Sequence, residues 1–290
     1  MDKIGVVEKL SLYLYTRGGD TAAAWNVINL LRMFCDEFQV IIPHKAHSAG
    51  TLISIGANSI IMTKQATLGP IDPSINTALN PHIPGAPLHI TMPVSVEAVK
   101  GYLEFAKEEL HIKDDIALSN IMIKLSDMVH PLTLGQVYRS RSQIKMLAEK
   151  LLINQVSEQS RIQEIISFLC SDSGSHDYTI NRREARDHLG LNIITPSEEQ
   201  YVVIKKIYDD INDELKFDAP FDPSLLLGGN LEGANRYEIR KGLLESINGG
   251  SYCYINEGIV IADATGRNVK ESHRLFEGWK HEENENEPTN

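Results

Sequence analysis

The chain has 290 residues, 42% of them hydrophobic, with 28 Lys and Arg against 39 Asp and Glu for a formal net charge of −11. That length can bury the core of one large domain or two small ones, and the acidic balance excludes a general nucleic-acid binder, which needs a basic surface. Cys35, Cys170 and Cys253 stand apart with no C-x-x-C pair, so neither a disulfide framework nor a zinc-thiolate cluster is indicated.

"KLSLYLYT" (residues 9–16) alternates at the strand period and is stopped by "RGGD". From Thr21 to Phe38 apolar residues recur at helical spacing, with Asp20 or Thr21 placed to cap the start. "FQVIIP" reads as a short buried strand closed by Pro43, "AGTLISIGAN" as a helix of small residues, and "SIIMT" as a further strand. This alternation predicts an α/β domain with a largely parallel sheet covered by helices.

Residues 76–94 are rich in proline and predict an irregular loop, of the kind that forms a rim over an α/β core. Helices are expected over Ser95–Lys107, Ala117–His130 and Gly135–Leu169, as a helical layer or an oligomer face, with His130 ending the second before Pro131. "SDSGSHDYTINRREARDHLGLNIITP" reads as a loop, a capped helix from about Asn181, and a strand after Gly190. A helix over Ser197–Leu215 follows, and "SYCYINEGIVIADATG" predicts a β-hairpin turning at Asn256-Glu257-Gly258. The tail after residue 280 is too polar to fold by itself.

The N-terminus lacks the pattern of a signal peptide, and no apolar run reaches the about 20 residues that span a bilayer. A cytoplasmic location without a membrane span is therefore expected. No H-E-x-x-H, G-x-x-x-x-G-K-[ST] or G-x-G-x-x-G pattern occurs, so no metal and no cofactor is implied.

"AHSAG" places Ser48 where one apolar run ends and another begins. Acyl transfer by a serine needs an exposed hydroxyl, a proton acceptor and N–H donors aimed at the developing oxyanion. The glycines of "TRGGD" can turn an amide toward a ligand, and the first amides of a helix starting at Ser48 lack intrahelical acceptors. On these features alone a helix cap and a nucleophile both stay open.

Taken together, "LYLYTRGGD", the following amphipathic helix, the V-I-I-P strand, "AHSAGTLIS", "ANSIIM" and "ATLGPIDP" resemble the Clp protease/crotonase superfamily. The resemblance is to its serine dehydrogenase proteinase branch, which is close to signal peptide peptidase A and the membrane-associated stomatin-operon proteases. It covers Leu10 to about Pro73 most fully and extends to Tyr178–Ile194. It implies an α/β fold with a repeated ββα core, a helical layer and a C-terminal β-hairpin extension. The domains implied are a protease domain over residues 1–196 with a helical insertion at 95–169, an extension over 197–280, and a disordered tail over 281–290.

Within this resemblance Ser48 takes the nucleophile position and Gly19 and Ala49 the oxyanion-donor positions. Gly18, Gly69, Pro70 and Asp72 fall beside the substrate cleft, where the Clp protease carries its histidine base; this chain has Asp72 and no histidine there. A lysine base is the alternative, with Lys100 at about the separation that the signal peptide peptidase branch shows, and Lys107 and Lys124 behind it. A second option is His176 or Asp177, which stands ahead of Glu184-Ala185 as the third triad acid of the Clp protease does. His47 is expected to support the turn that carries Ser48. The resemblance implies a serine peptidase acting on peptide or protein substrates, held extended along the glycine-pair strand, and a homo-oligomer of trimer size or larger. Only about nine residues precede the first strand where relatives carry a further strand and helix, so a shortened sheet or an edge covered by a neighbouring subunit is expected. The rival readings are a non-catalytic oligomeric binding or scaffold module that retains the fold, and acyl-CoA chemistry that would not need the Ser48 hydroxyl.

Overall fold

The computed structural model describes residues 5–72, 74–87, 89–172, 177–219, 221–227, 234–263 and 269–282. Two compact units divide the chain, residues 6–197 and, with residue 5, residues 198 onward.

The first unit is built on a parallel sheet of order β1-β2-β4-β9, from Val7–Tyr13 (β1), Cys35–Ile42 (β2), Ser59–Met62 (β4) and Ile193–Ile194 (β9). Its inner strands read as continuous apolar runs because helices cover the sheet, and every residue of β4 is buried. The buried Gln39 donates to the Ser59 hydroxyl (2.9 Å) and accepts from Ser11 (3.2 Å), so this polar side chain is satisfied across three strands.

Helix α1 (Thr21–Arg32) starts as expected, with Asp20 accepting from the Ala23 amide at 2.7 Å. It ends six residues before Phe38, because Phe34 and Cys35, whose spacing also suits a helix, are taken into the strand pairing. Arg32 donates to the Gly56 carbonyl and to Asn58, tying α1 to the end of α2 (Ala49–Ile55).

A smaller sheet, β3-β5-β8, joins Lys45–Ala46 (β3), Thr67–Leu68 (β5) and Ile180–Asn181 (β8). The Pro-rich segment holds an antiparallel ladder of Ser74–Ile75 (β6) and Val94–Ser95 (β7). Asn80 closes it from inside, donating to the carbonyls of Ile75 and Met92 where prolines supply no N–H.

The helical layer comprises α3 (Val96–Glu104, extended by a π turn to Glu109), α4 (Asp115–Met128), α5 (Pro131–Leu152) and α6 (Gln159–Ser167). The single helix expected over Gly135–Leu169 is thus two. His130 starts α5 instead of ending its predecessor, since its Nδ1 accepts from the Leu132 amide. Ile144, Leu147, Leu151, Ile162 and Ile165 bury into the same core as the sheet, whereas α4 buries no residue.

In the second unit, α7 (Glu198–Leu215) precedes an antiparallel meander of β10 (Ala234–Ser246), β11 (Gly250–Ala262) and β12 (Val269–Glu282). The turn expected at Asn256-Glu257-Gly258 is absent: β11 runs straight through it with a register shift against β12 at Glu257/Gly258. Glycine is required there for packing, since a β carbon would lie 2.4 Å from the Tyr237 hydroxyl and 2.6 Å from the His273 carbonyl oxygen. β12 continues through His281 and Glu282, into the segment expected as a tail; residues 283–290 lie outside the described residues.

Candidate active site

Two turns meet because the chain leaves the main sheet after β1 and pairs with β3. Thr16 donates its amide to Lys45 and accepts from His47 (2.9 and 3.1 Å), forming a parallel bridge with Ala46. The "RGGD" turn follows Thr16 directly, and the "HSAG" turn follows Ala46. One bridge therefore sets the glycine pair beside the serine.

Ser48 is the pivot. Its backbone lies at φ 52°, ψ −111°, a conformation that a residue with a side chain seldom adopts, and its side chain makes no capping hydrogen bond to α2. The neighbours impose this shape: the Gly50 amide donates to the His47 carbonyl (2.8 Å) and the Leu52 amide to that of Ser48 (3.1 Å). The helix-cap reading would require a serine side chain turned back on the helix; here it is partly exposed and lines a cavity of about 680 Å³. That volume is within the range of small-ligand and peptide sites.

Gly18 and Gly19 line the same cavity. A β carbon on Gly18, at φ 130°, would lie 3.1 Å from the Ser48 β carbon, so only glycine lets the two turns touch without strain. Ala49, the first residue of α2, has its amide in the first turn, where no intrahelical acceptor exists.

His47 points elsewhere. Its Nε2 lies 2.8 Å from the Thr67 hydroxyl and its ring packs on Gly69, in keeping with a supporting role. Gly69 and Pro70, expected beside the substrate, are buried instead. The Gly69 amide donates to Thr51 Oγ1, which itself donates to the Gly69 carbonyl at 2.7 Å and to Ala46, so this segment braces the start of α2. Asp72 does line the cavity, and one of its carboxylate oxygens accepts from Ser95 at 3.1 Å.

Lys100 stands on α3 with Nζ 3.2 Å from Glu104 and 3.7 Å from Glu97, and it is not among the cavity-lining residues. His176 lies outside the described residues. Asp177 is exposed, three residues before Ile180, whose pairing with Leu68 returns the chain alongside the strand that leads to Asp72. Lys107 and Lys124 lie in the π turn after α3 and on α4, and Lys124 pairs with Asp127.

Residues 7–86 match the family of ClpP-like SDH-type serine proteinases. The match covers the motifs from Leu10 to Pro73 and both turns of the cavity. Two uncharacterized proteins of Methanocaldococcus jannaschii are 29% and 26% identical over 199 residues, which is 69% of this chain and 58% and 56% of theirs. The chain thus spans little more than half the length of these curated relatives. Among solved structures, the 1510-N membrane-bound stomatin-specific protease superposes as a lysine-to-alanine mutant in complex with a substrate peptide and as a serine-to-alanine mutant. Each has a TM-score of 0.38, at 16% and 15% identity, over 68% of this chain and 64% and 69% of that one. Likeness at that level assigns no residue a role. Among the described residues no helix is long and apolar enough to cross a membrane.

Sequence reasoning missed the contribution of α5. Gln136, Ser140 and Gln143 line the cavity from the helical layer. Their i, i+4, i+7 spacing was the available signal, and it is the same signal that any solvated helix face presents.

Proposed function

We propose that this chain is a serine peptidase that cleaves peptide segments through an acyl-enzyme on Ser48. The observation that carries the reading is the conformation of Ser48 itself: a non-glycine residue held at φ 52°, ψ −111° on a strand-to-helix turn, its side chain uncommitted to the helix, in a cavity shared with the glycine pair. Backbone strain of this kind is retained where it presents a reacting group. The match to a serine proteinase family over residues 7–86 supports the same chemistry.

In this reading Ser48 Oγ attacks the scissile carbonyl carbon and gives its proton to a base. The amides of Gly19 and Ala49 hold the resulting oxyanion. The C–N bond then breaks, the amine departs with the proton, and water releases the acyl group from Ser48. The peptide lies extended along the glycine-pair turn, held by main-chain hydrogen bonds. An ion-paired ammonium has no lone pair for a proton, so Lys100 serves only after leaving Glu97 and Glu104. Asp72 already shares the cavity, and with His176 and Asp177 it forms the set from which we draw the base.

A fluorophosphonate probe and a casein-derived peptide mixture test the reading. Ser48 is expected to carry the label, and Ser48→Ala to lower hydrolysis by roughly a thousandfold or more. Asp72→Asn is expected to slow labelling and Lys100→Met to leave it nearly unchanged. A folded protein whose Ser48 never reacts and which cleaves nothing would overturn the proposal and leave a non-catalytic binding module.

A further inference from the structure

We propose that the α5 wall of the cavity makes the enzyme selective for peptide segments carrying uncharged hydrogen-bonding side chains, with Gln136 and Gln143 as the discriminating residues. The inference rests on the peptidase reading and names the substrate class of that same site.

Gln136, Ser140 and Gln143 lie on one face of α5, at i, i+4 and i+7, and all three line the cavity that holds Ser48. Adjacent positions of the helix, Val137, Ile144 and Leu147, are buried, so the stripe lies along the border between core and solvent and is held in place by that burial. The three side chains have no hydrogen-bond partner among the described residues, and their amides and hydroxyl are therefore available to a bound group. Carboxamides donate and accept at once, which suits Gln, Asn, Ser or Thr side chains of a substrate.

The rest of the lining points the same way. Among the described residues Ile75 is its one large apolar side chain. An aliphatic substrate side chain seated there would take water from the glutamine amides and return no hydrogen bond, the condition under which polar sites discriminate most strongly. The wall carries charges of both signs, Arg17 against Asp20 and Asp72, so it offers no field of a single sign to select an acidic or a basic side chain.

The test is a positional-scanning fluorogenic peptide library, run with the parent protein, with Gln136→Leu/Gln143→Leu and with Gln143→Glu, alongside fluorophosphonate labelling of each. At one subsite the parent is expected to cleave Gln, Asn, Ser and Thr peptides at least about tenfold faster, by kcat/KM, than Leu, Val and Phe peptides. The double leucine variant is expected to reverse that order. Gln143→Glu, which adds a carboxylate to a wall already holding Asp72, is expected to gain Lys and Arg peptides, a gain that misfolding cannot mimic. A parent that labels at Ser48 but shows no polar preference, or variants that label and keep the parental profile, would overturn this inference alone. Absence of both labelling and cleavage in the parent would overturn it together with the peptidase reading.

Discussion

Gly50 lies directly against Thr16: a β carbon added at Gly50 would come within 2.4 Å of Thr16 Cγ2. The residue two places after Ser48 thus packs on the residue two places before the glycine pair. Both turns owe their spacing to this contact and to the Thr16–Ala46 bridge. Gly50→Ala must force the two segments apart, at about 1–3 kcal/mol, the usual cost of overpacking a tight interior. Urea unfolding is expected to show that loss together with slower labelling of Ser48. A variant as stable as the parent would mean that the turns are not in contact.

Relief of strain gives the opposite sign at the neighbouring position. Ser48→Gly removes the penalty of the φ 52°, ψ −111° backbone, about 1–3 kcal/mol, offset by the greater unfolded-state freedom of glycine, about 0.5–1 kcal/mol. The glycine variant is expected to melt above the parent while losing all labelling. Ser48→Ala keeps the strain and is expected to show no such gain. Equal melting temperatures for the two variants would argue that Ser48 relaxes in solution.

Glu97 predicts a pH dependence of stability. Burial pushes its pKa above the ordinary carboxylate range, against the lowering pull of Lys100 and Arg141, and nearby Asp72 adds to the rise. An acid whose pKa is raised on folding holds its proton more tightly in the folded state. The contribution of Glu97 to stability is therefore greatest below the unfolded value, about 4.3, and falls as pH rises from there through the raised folded value. Glu97→Gln, which cannot titrate, is expected to flatten the unfolding free energy across that window. Parallel curves for parent and variant in a pH series of urea melts would contradict the assignment.

Cys170 supplies a control for any probe of nucleophilic residues. It is 4% exposed, and burial pushes its thiol pKa up to about 12, with Lys145 and Arg141 pulling down and Glu97 and Asp72 pushing up. A protonated, covered thiol does not alkylate. Iodoacetamide at pH 8 is expected to leave Cys170 unmodified until denaturant is added, as read by peptide mapping. Modification of the native protein would show that the π-helical turn after α6, Phe168–Asp172, does not pack Cys170 into the core as described.

Much of the first unit was legible because its signals are local. The apolar runs of β2 and β4, the Asp20 cap and the glycine stop after β1 depend on residues within a turn or two of each other. The errors came where one pattern suits two structures. Phe34 and Cys35 continue a helical spacing, yet Cys35 begins β2 and the Phe34 carbonyl accepts from the Val7 amide, because pairing with β1 outweighs local propensity. Asn256-Glu257-Gly258 has the composition of a turn, yet Gly258 is there to admit the Tyr237 ring to the sheet. The turns that line the cavity around Ser48 were readable, while α5 was not, since a polar stripe on a helix looks the same whether it faces solvent or a cavity.

By itself the sequence determined which residues are able to do chemistry: a serine between His47 and Ala49, a glycine pair after a strand, and an aspartate in L-G-P-I-D-P. These are properties of side-chain type and short-range spacing. Only the tertiary structure decided that Ser48 is strained and not merely capping, and that Gln136 and Gln143 share the serine's cavity. Those facts depend on a bridge between residues 30 positions apart and on a helix some 90 positions further on, and no local pattern encodes contacts of that range.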